Sequence, residues 1–351
     1  MILFHLSHTD LDGYACQYLS NKYFSKDEKF FYNANYGVEV KTALKQIPLK
    51  IQDYPNDEIL FLISDLNLTL SQSKTLDEEI KSLQDKSYNI TLQVLDHHIS
   101  GEDSAKAYSW YFLDDSRCAA KICLDYFLDK NTEQSKKLQK FSKFISTVNA
   151  ADIWLEDEEE NFEFGKVCMS MTVRCNEINP KLFPDENRKM KFWMYKKASK
   201  YLDKDNANIL FDNKIHKLKK TYLKKKKSDD TLDNLSARNL VELLGDKKEI
   251  LSIKYKNHKG LMTYCLGNIS IPANAFLKEN EDYDFFIDLS YKGTISLRAD
   301  SKLDVCLLAS KLANGGGHKN AAGGKFDDFD TPASYEEARV FLQEKLDKIK
   351  D

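Results

Sequence analysis

Seven cysteines are scattered singly through the 351 residues with no CxxC pair among them, and no run of 18 apolar residues occurs anywhere. An odd, dispersed set of thiols supports neither a disulfide framework nor a zinc knuckle, so Cys16, Cys118, Cys123, Cys168, Cys175, Cys265 and Cys306 read as free buried thiols. The missing apolar run argues against a spanning helix, and no basic stretch precedes the first apolar segment as a secretory leader requires. A cytoplasmic protein with no membrane partner is the expectation. The net charge of -3 leaves no overall basic footprint, so long duplex DNA is not the expected partner. No internal repeat is visible, and the one biased tract is rich in lysine.

What is present is ordinary for a soluble globular chain, with 42% hydrophobic and 30% charged residues. At roughly 100 to 200 residues per domain, the length predicts about two domains. Strand-like apolar segments at residues 1–6, 29–33, 58–63 and 90–95 alternate with helical stretches, the pattern of βαβ units around a parallel sheet. Polar clusters follow three of them at once: residues 7–12, then Ser64-Asp65-Leu66-Asn67, then Asp96-His97-His98. The carboxyl ends of strands line the ligand crevice of an open α/β sheet, so these clusters are expected on one rim. Helical patterns at 117–127 and 134–148 lead to Asp152, which is expected to return to that rim.

An acidic insert at 156–163 precedes a mostly helical region from 187 to 227, whose end carries Lys214, Lys217, Lys219, Lys220 and four lysines at 224–227. Ile215, Leu218 and Tyr222 keep an apolar stripe there, and the charge reads as a solvated face or interdomain arm, with phosphate-backbone steering as the functional alternative. Strand candidates at 249–255, 261–266, 284–289 and 294–299, with a helix at 335–349, fit a second, smaller α/β domain. It contains the glycine-rich box 315–324, which by itself reads equally as a flexible loop or a binding site. Tyr36, Tyr108 and Trp110 are candidates for stacking on bases, but such aromatics more often belong to the core, and none of the three is assigned a role.

Chemistry concentrates in His8, Asp10, Asp12, Asp65, Asp152 and the pair His97 and His98, an oxygen and imidazole set that suits Mn²⁺ or Mg²⁺ better than structural zinc. Two ions about 3.5–4 Å apart need a bridging carboxylate with separate ligands on either side. Alternate spacing in His8-x-Asp10-x-Asp12 lets a strand end and its turn serve both ions, because successive side chains point opposite ways. Gly13 is expected to free the backbone for a tight turn into a helix.

Together, His8-Thr9-Asp10-Leu11-Asp12-Gly13, Asp65, Asp96-His97-His98, Asp152 and the box at 315–324 resemble the DHH-DHHA1 phosphoesterase superfamily, in the right order across both ends of the chain. Within it, the length resembles the small nanoRNA-degrading members. The resemblance implies a two-domain α/β fold with the active-site cleft between the domains. Residues 1–185 would form the parallel-sheet DHH domain, 186–232 a basic helical linker, and 233–351 the DHHA1 domain. It further implies that His8, Asp10 and Asp65 hold one metal and that Asp12, Asp65, His97 and Asp152 hold the other, with Asp65 as bridge. His98 would contact the scissile phosphate or its leaving group, and Asp96 would accept a hydrogen bond from an imidazole and fix its tautomer. Arg298 and Gly315, Gly316, Gly317 and His318 would bind substrate phosphate.

The expected activity is metal-dependent hydrolysis of short single-stranded RNA to mononucleotides by a hydroxide bridging two Mn²⁺ ions, with Mg²⁺ as the other candidate. Alternatives are a 3'-phosphoadenosine 5'-phosphate phosphatase, a phosphodiesterase for cyclic or linear dinucleotides, and a non-enzymatic nucleotide- or RNA-binding module. RecJ-like action on long DNA is disfavoured, because no further nucleic-acid domain is evident. Residues 156–227 match no motif of the superfamily, and the sequence leaves monomer and homodimer both open.

Overall fold

The structure, a computed structural model, describes residues 1–156, 161–225, 228–332 and 334–349. The chain forms two compact units, residues 1–175 with 188–215, and residues 176–187 with 216–351. The stretch 186–232, expected as a separate linker, is therefore divided between them.

The first unit contains, in order, β1 (Ile2–Ser7), α1 (Leu11–Tyr23), β2 (Glu28–Asn33), α2 (Val38–Ile51), β3 (Glu58–Ser64), α3 (Leu70–Asp85), β4 (Asn89–Asp96), α4 (Glu102–Ala107), β5 (Tyr111–Leu113), α5 (Ala119–Asp129), α6 (Glu133–Leu138), α7 (Ser142–Asp152) and α8 (Phe162–Arg174). Its five strands are all parallel in the order β2-β1-β3-β4-β5. Helices cover both faces of such a sheet, which explains why β1 is buried at every residue and is mostly apolar, with His5 and Ser7 its polar members. The register is level: Ser7 pairs with both Asn33 and Ser64, and Ser64 pairs with Leu95. His8, Asp65 and Asp96 each follow these matched residues, so all three emerge at one height on the rim.

Three departures from the sequence pattern have local causes. The single helix expected over 134–148 is interrupted by a 3-10 turn at Gln139–Phe141, between α6 and α7. The short strand β5 and the helix α8 were not anticipated; three residues give too little alternation to be read as a strand. Residues 157–160 of the acidic insert lie outside the described residues.

The helical region beyond it divides into α9 (Pro184–Ala198) and α10 (Ala207–Lys224). Lys219 is not solvated as expected: its side chain is only 8% exposed and it donates to Glu177 Oε1 at 2.6 Å. Lys220 pairs with Asp229 at 3.3 Å, so part of the basic run is neutralised within its own unit. Lys226 and Lys227 lie outside the described residues.

The second unit continues with α11 (Leu232–Gly245), β6 (Ser252–Tyr255), β7 (His258–Tyr264), α12 (Ser270–Glu279), β8 (Phe285–Leu289), β9 (Thr294–Ala299), α13 (Val305–Ala313), β10 (Gly316–His318), β11 (Ala321–Lys325) and α14 (Tyr335–Asp347). Its strands follow the order β10-β11-β9-β8-β7-β6, antiparallel except for the β7/β8 pair. The glycine-rich box is not a flexible loop but a β-hairpin, with Gly316 opposite Gly323 and His318 opposite Ala321. Gly317 has φ +144° and a β-carbon there would stand 2.5 Å from the Ala321 carbonyl oxygen, so the hairpin closes only without side chains. Among the described residues no helix is long and apolar enough to cross a membrane. All seven cysteines are free, five of them buried and Cys265 and Cys306 half-buried.

Candidate active site

The rim of the parallel sheet gathers the polar clusters. His8 follows β1, Asp10 is the N-cap of α1 and accepts from Gly13 N at 3.0 Å, and Asp12 lies buried in the first helical turn. The ligand types are thus separated by a strand end, a cap and a helical turn, and not by strand alternation as the spacing alone suggested. Gly13 serves a different need from the expected freedom of turn. A β-carbon on it would stand 2.4 Å from the His8 carbonyl oxygen, so the helix starts this close to the strand only with glycine there.

His8 Nδ1 lies 2.7 Å from Asp10 Oδ2 and 3.8 Å from Asp65 Oδ2. His97 Nε2 stands 3.3 Å from Asp65 Oδ1, 3.6 Å from Asp152 Oδ2 and 3.9 Å from Asp12 Oδ2. Two sets of candidate ligand atoms result, His8 with Asp10 and Asp65, and Asp12 with His97 and Asp152; Asp65, His97 and His98 form a third. Asp65 contacts a histidine with each of its oxygens. It takes up φ 57°, a left-handed conformation that is costly for any residue but glycine and is tolerated here at the tip of β3.

Each partner is fixed by groups outside this set. Both Asp12 oxygens accept backbone N–H bonds at the start of α5, from Ala119 at 2.7 Å and Ala120 at 2.8 Å. Asp96 Oδ1 accepts from His97 N and from His98 Nδ1, both at 2.8 Å, while its Oδ2 accepts from the Tyr111 hydroxyl at 2.6 Å. Because that carboxylate accepts, His98 carries a proton on Nδ1, and its Nε2 faces outward.

The electrostatics are those of a pocket crowded with carboxyl groups. Burial, then the charges of Asp12, Asp10 and Asp152, raises the Asp65 carboxyl well above the usual carboxylate range. Burial, followed by Asp12 and Asp10, pushes Asp152 up to about 9. Asp12 is also raised, by burial first. Burial works against ionisation of Asp10 too, but the hydrogen bond and charge of His8 outweigh it and bring its pKa down to about 2. Burial lowers His97. At His98 burial opposes the charged form, yet the bond to Asp96 raises the pKa.

Asp65 Oδ2 and Asp152 Oδ2 are buried without a hydrogen-bond partner. Among the described residues no lysine or arginine pairs with these carboxylates, and none of the three ligand sets includes a cysteine. Orphaned buried carboxylate oxygens, several acids in one pocket and no thiolate fit hard divalent cations.

Sequence reasoning missed the frame behind His8. Arg188 of α9, only 3% exposed, donates to Gln17 Oε1 at 2.9 Å, to Phe31 O at 3.0 Å and to Asn33 Oδ1 at 3.0 Å. Asn33 in turn donates to the His8 carbonyl at 2.9 Å. Below them His5 is wholly buried between Ser20 Oγ and Ser64 Oγ, each at 2.8 Å. A lone arginine 180 residues beyond the motif gives no local signal in the sequence. The strand residues His5 and Asn33 sit beside the motifs and were within reach.

Tyr108 and Trp110 pack against the core of the first unit, as expected of them. Tyr36 does not: it is 45% exposed beside His8 and His98.

In the second unit Arg298 lies on β9, opposite Ala321 of the glycine hairpin, and donates to Ser270 Oγ at 2.8 Å. It borders a cavity of about 360 Å³ with Ser270, Asn274 and Asn320. Gly316, Gly317 and His318 are exposed, and Gly315 is half-buried.

No family model matches the chain. It is 41% identical over 346 residues to a 3',5'-cyclic-nucleotide phosphodiesterase of Helicobacter pylori (strain ATCC 700392 / 26695), covering 98% of each chain. This chain belongs to the family of that phosphodiesterase. The solved structure of an uncharacterized protein from Helicobacter pylori G27 superimposes with a TM-score of 0.92 at 40% identity, over 99% of both chains. A far more distant match is exonuclease RecJ bound to manganese, at 12% identity and a TM-score of 0.32, over 100% of this chain and 91% of that one. That membership agrees with the phosphoesterase chemistry expected of the motifs.

Proposed function

We propose that the protein hydrolyses 3',5'-cyclic nucleotides with two divalent cations, Mn²⁺ or Mg²⁺, held on the rim of its parallel sheet. The reading is carried by the two ligand sets around Asp65, in a chain related over its full length to a protein named for that activity. Water adds across one ring P–O bond, the freed sugar oxygen takes a proton, and the product is a nucleoside monophosphate. His8, Asp10 and Asp65 would hold one ion, and Asp12, Asp65, His97 and Asp152 would hold the other. When bound, the cations supply Lewis acidity, lowering the pKa of a water ligand and offsetting charge on the phosphoryl oxygens.

The residues of the chain do the rest. Asp96, saturated by His97, His98 and Tyr111, fixes His98 with Nε2 facing the substrate's phosphate or leaving oxygen. In the second unit, Arg298 and the exposed glycine hairpin with His318 bind phosphate or sugar groups of the nucleotide. The reading places the protein in the cytoplasm, acting on a soluble nucleotide without a membrane.

The Arg298 cavity and its hairpin favour a second reading. A polar cavity beside an arginine fork suits a terminal phosphate, which a short RNA or 3'-phosphoadenosine 5'-phosphate carries and a cyclic mononucleotide lacks. The deciding experiment compares initial rates with Mn²⁺ on 3',5'-cyclic AMP, 3',5'-cyclic GMP, an RNA dinucleotide, an RNA pentamer and 3'-phosphoadenosine 5'-phosphate. Fastest turnover of a cyclic mononucleotide supports the proposal. Preference for the dinucleotide and pentamer replaces it with the short-RNA reading, and inactivity on all five leaves a nucleotide-binding module.

A further inference from the structure

Tyr36 stands on the turn between β2 and α2, and that turn is tied to the end of β1 and the loop that carries His8 and Asp10. Ala34 N donates to Ser7 O at 3.1 Å, and Thr9 Oγ1, from the residue between His8 and Asp10, donates to Asn35 Oδ1 at 2.6 Å. Asn35 then donates through its backbone and its side chain to Glu39 Oε2, at 2.8 Å and 3.0 Å. So tied, the turn holds the Tyr36 ring 5.3 Å from the His8 ring, centroid to centroid, and edge-on to His98 at 6.0 Å. Its hydroxyl lies 3.3 Å from His98 Nε2.

Two features set this tyrosine apart from a packing residue. Nearly half of it is exposed, so the ring returns little burial for being held in place. Its hydroxyl lies within hydrogen-bond distance of His98 Nε2, the one ring nitrogen not already bonded to Asp96. A hydroxyl oxygen beside the outward nitrogen of a histidine stands where a substrate oxygen would otherwise sit.

Resting on the phosphodiesterase reading above, we propose that Tyr36 is a substrate-binding residue: its hydroxyl leaves His98 Nε2 when a phosphate enters and donates a hydrogen bond to a non-bridging phosphoryl oxygen. The exchange frees Nε2 to face the leaving oxygen and gives the charged phosphate a donor on the side away from the carboxylates. Hydrogen bonds to charged groups are among the stronger ones, and loss of one such donor weakens binding by about tenfold or more.

The test uses the full chain and its Tyr36→Phe variant, which keeps the ring and its contacts with His8 and His98 and removes only the O–H. Inorganic phosphate binding is measured calorimetrically with Mn²⁺ present, alongside bound metal and thermal midpoint. Steady-state kcat and KM are measured on whichever phosphodiester the wild-type protein turns over. Phosphate affinity about tenfold weaker in Tyr36→Phe, with metal content and thermal midpoint at wild-type values, is the expected result. Equal phosphate affinity in the two proteins overturns the assignment while leaving the phosphodiesterase reading intact. A wild-type protein that neither binds phosphate nor cleaves any phosphodiester overturns both.

Discussion

Asp65 Oδ1 lies 3.3 Å from Nε2 of His97, a residue 32 positions further along the chain. The contact exists because β3 and β4 run parallel in level register, so that the residue after Ser64 and the residues after Leu95 meet at the same edge. From that position Asp65 reaches His8 with its other oxygen, at 3.8 Å, and so touches both halves of the proposed centre.

Asp65→Asn is expected to lower kcat by more than the roughly 10- to 100-fold typical of losing an outer partner of a metal ligand. It is also expected to reverse its effect on stability with metal. In chelator at neutral pH the variant melts above wild type, because ionisation of a buried carboxyl crowded by Asp12, Asp10 and Asp152 is removed. With Mn²⁺ it melts below wild type, since stabilisation by a bound ion scales with its affinity. Melting curves in both conditions check this, and an unchanged order of midpoints sinks the bridging role.

Asn33→Ala removes the side-chain donor to the His8 carbonyl while leaving every proposed ligand side chain in place. Metal affinity and kcat are expected to fall about 10-fold, within the range for groups that orient ligands. Arg188→Met is harsher. It strands the acceptors of Gln17, Phe31 and Asn33 in the interior and is expected to cost about 2–5 kcal/mol in denaturant unfolding. Wild-type metal affinity in Asn33→Ala would break the chain of positioning from Arg188 to His8.

Stability should carry the signature of His5. Burial, with the Arg188 charge second, lowers its pKa from 6.5 to about 3. Between those values the unfolded chain binds the proton that the folded protein refuses. The contribution of neutral His5 is therefore fully present above pH 6.5 and is lost as pH falls towards 3, at up to about 1.4 kcal/mol per pH unit. Unfolding free energies from pH 7 to pH 5 should fall more steeply for wild type than for His5→Gln. Parallel curves would mean that His5 is not held neutral.

Arg298→Ala is expected to raise KM about 10-fold or more and leave kcat within a factor of about two, the pattern that follows from its proposed binding role. Steady-state kinetics on the preferred substrate read this directly, and a loss confined to kcat would contradict the binding role.

Four of the five strands of the parallel sheet were legible, β1 and β3 most clearly because burial on both faces makes them short, mostly apolar runs, and the polar residues at the strand ends followed from the same reading. The hairpin at 316–325 was not, since glycine carries no side-chain periodicity and its pairing with β9 is a long-range event. Lys219 was misread for a related reason: lysines in a run look solvated until the fold supplies Glu177 as a partner.

By itself, then, the sequence determined the order of the βα units and the kinds of ligand at each strand end, because these depend on side-chain chemistry and local pattern. Only the tertiary structure decided which ligands share Asp65, why Gly13 must lack a side chain, how Arg188 supports His8 and that Tyr36 faces His98. Those are distances between residues far apart along the chain, fixed by strand register and packing, which local pattern does not encode.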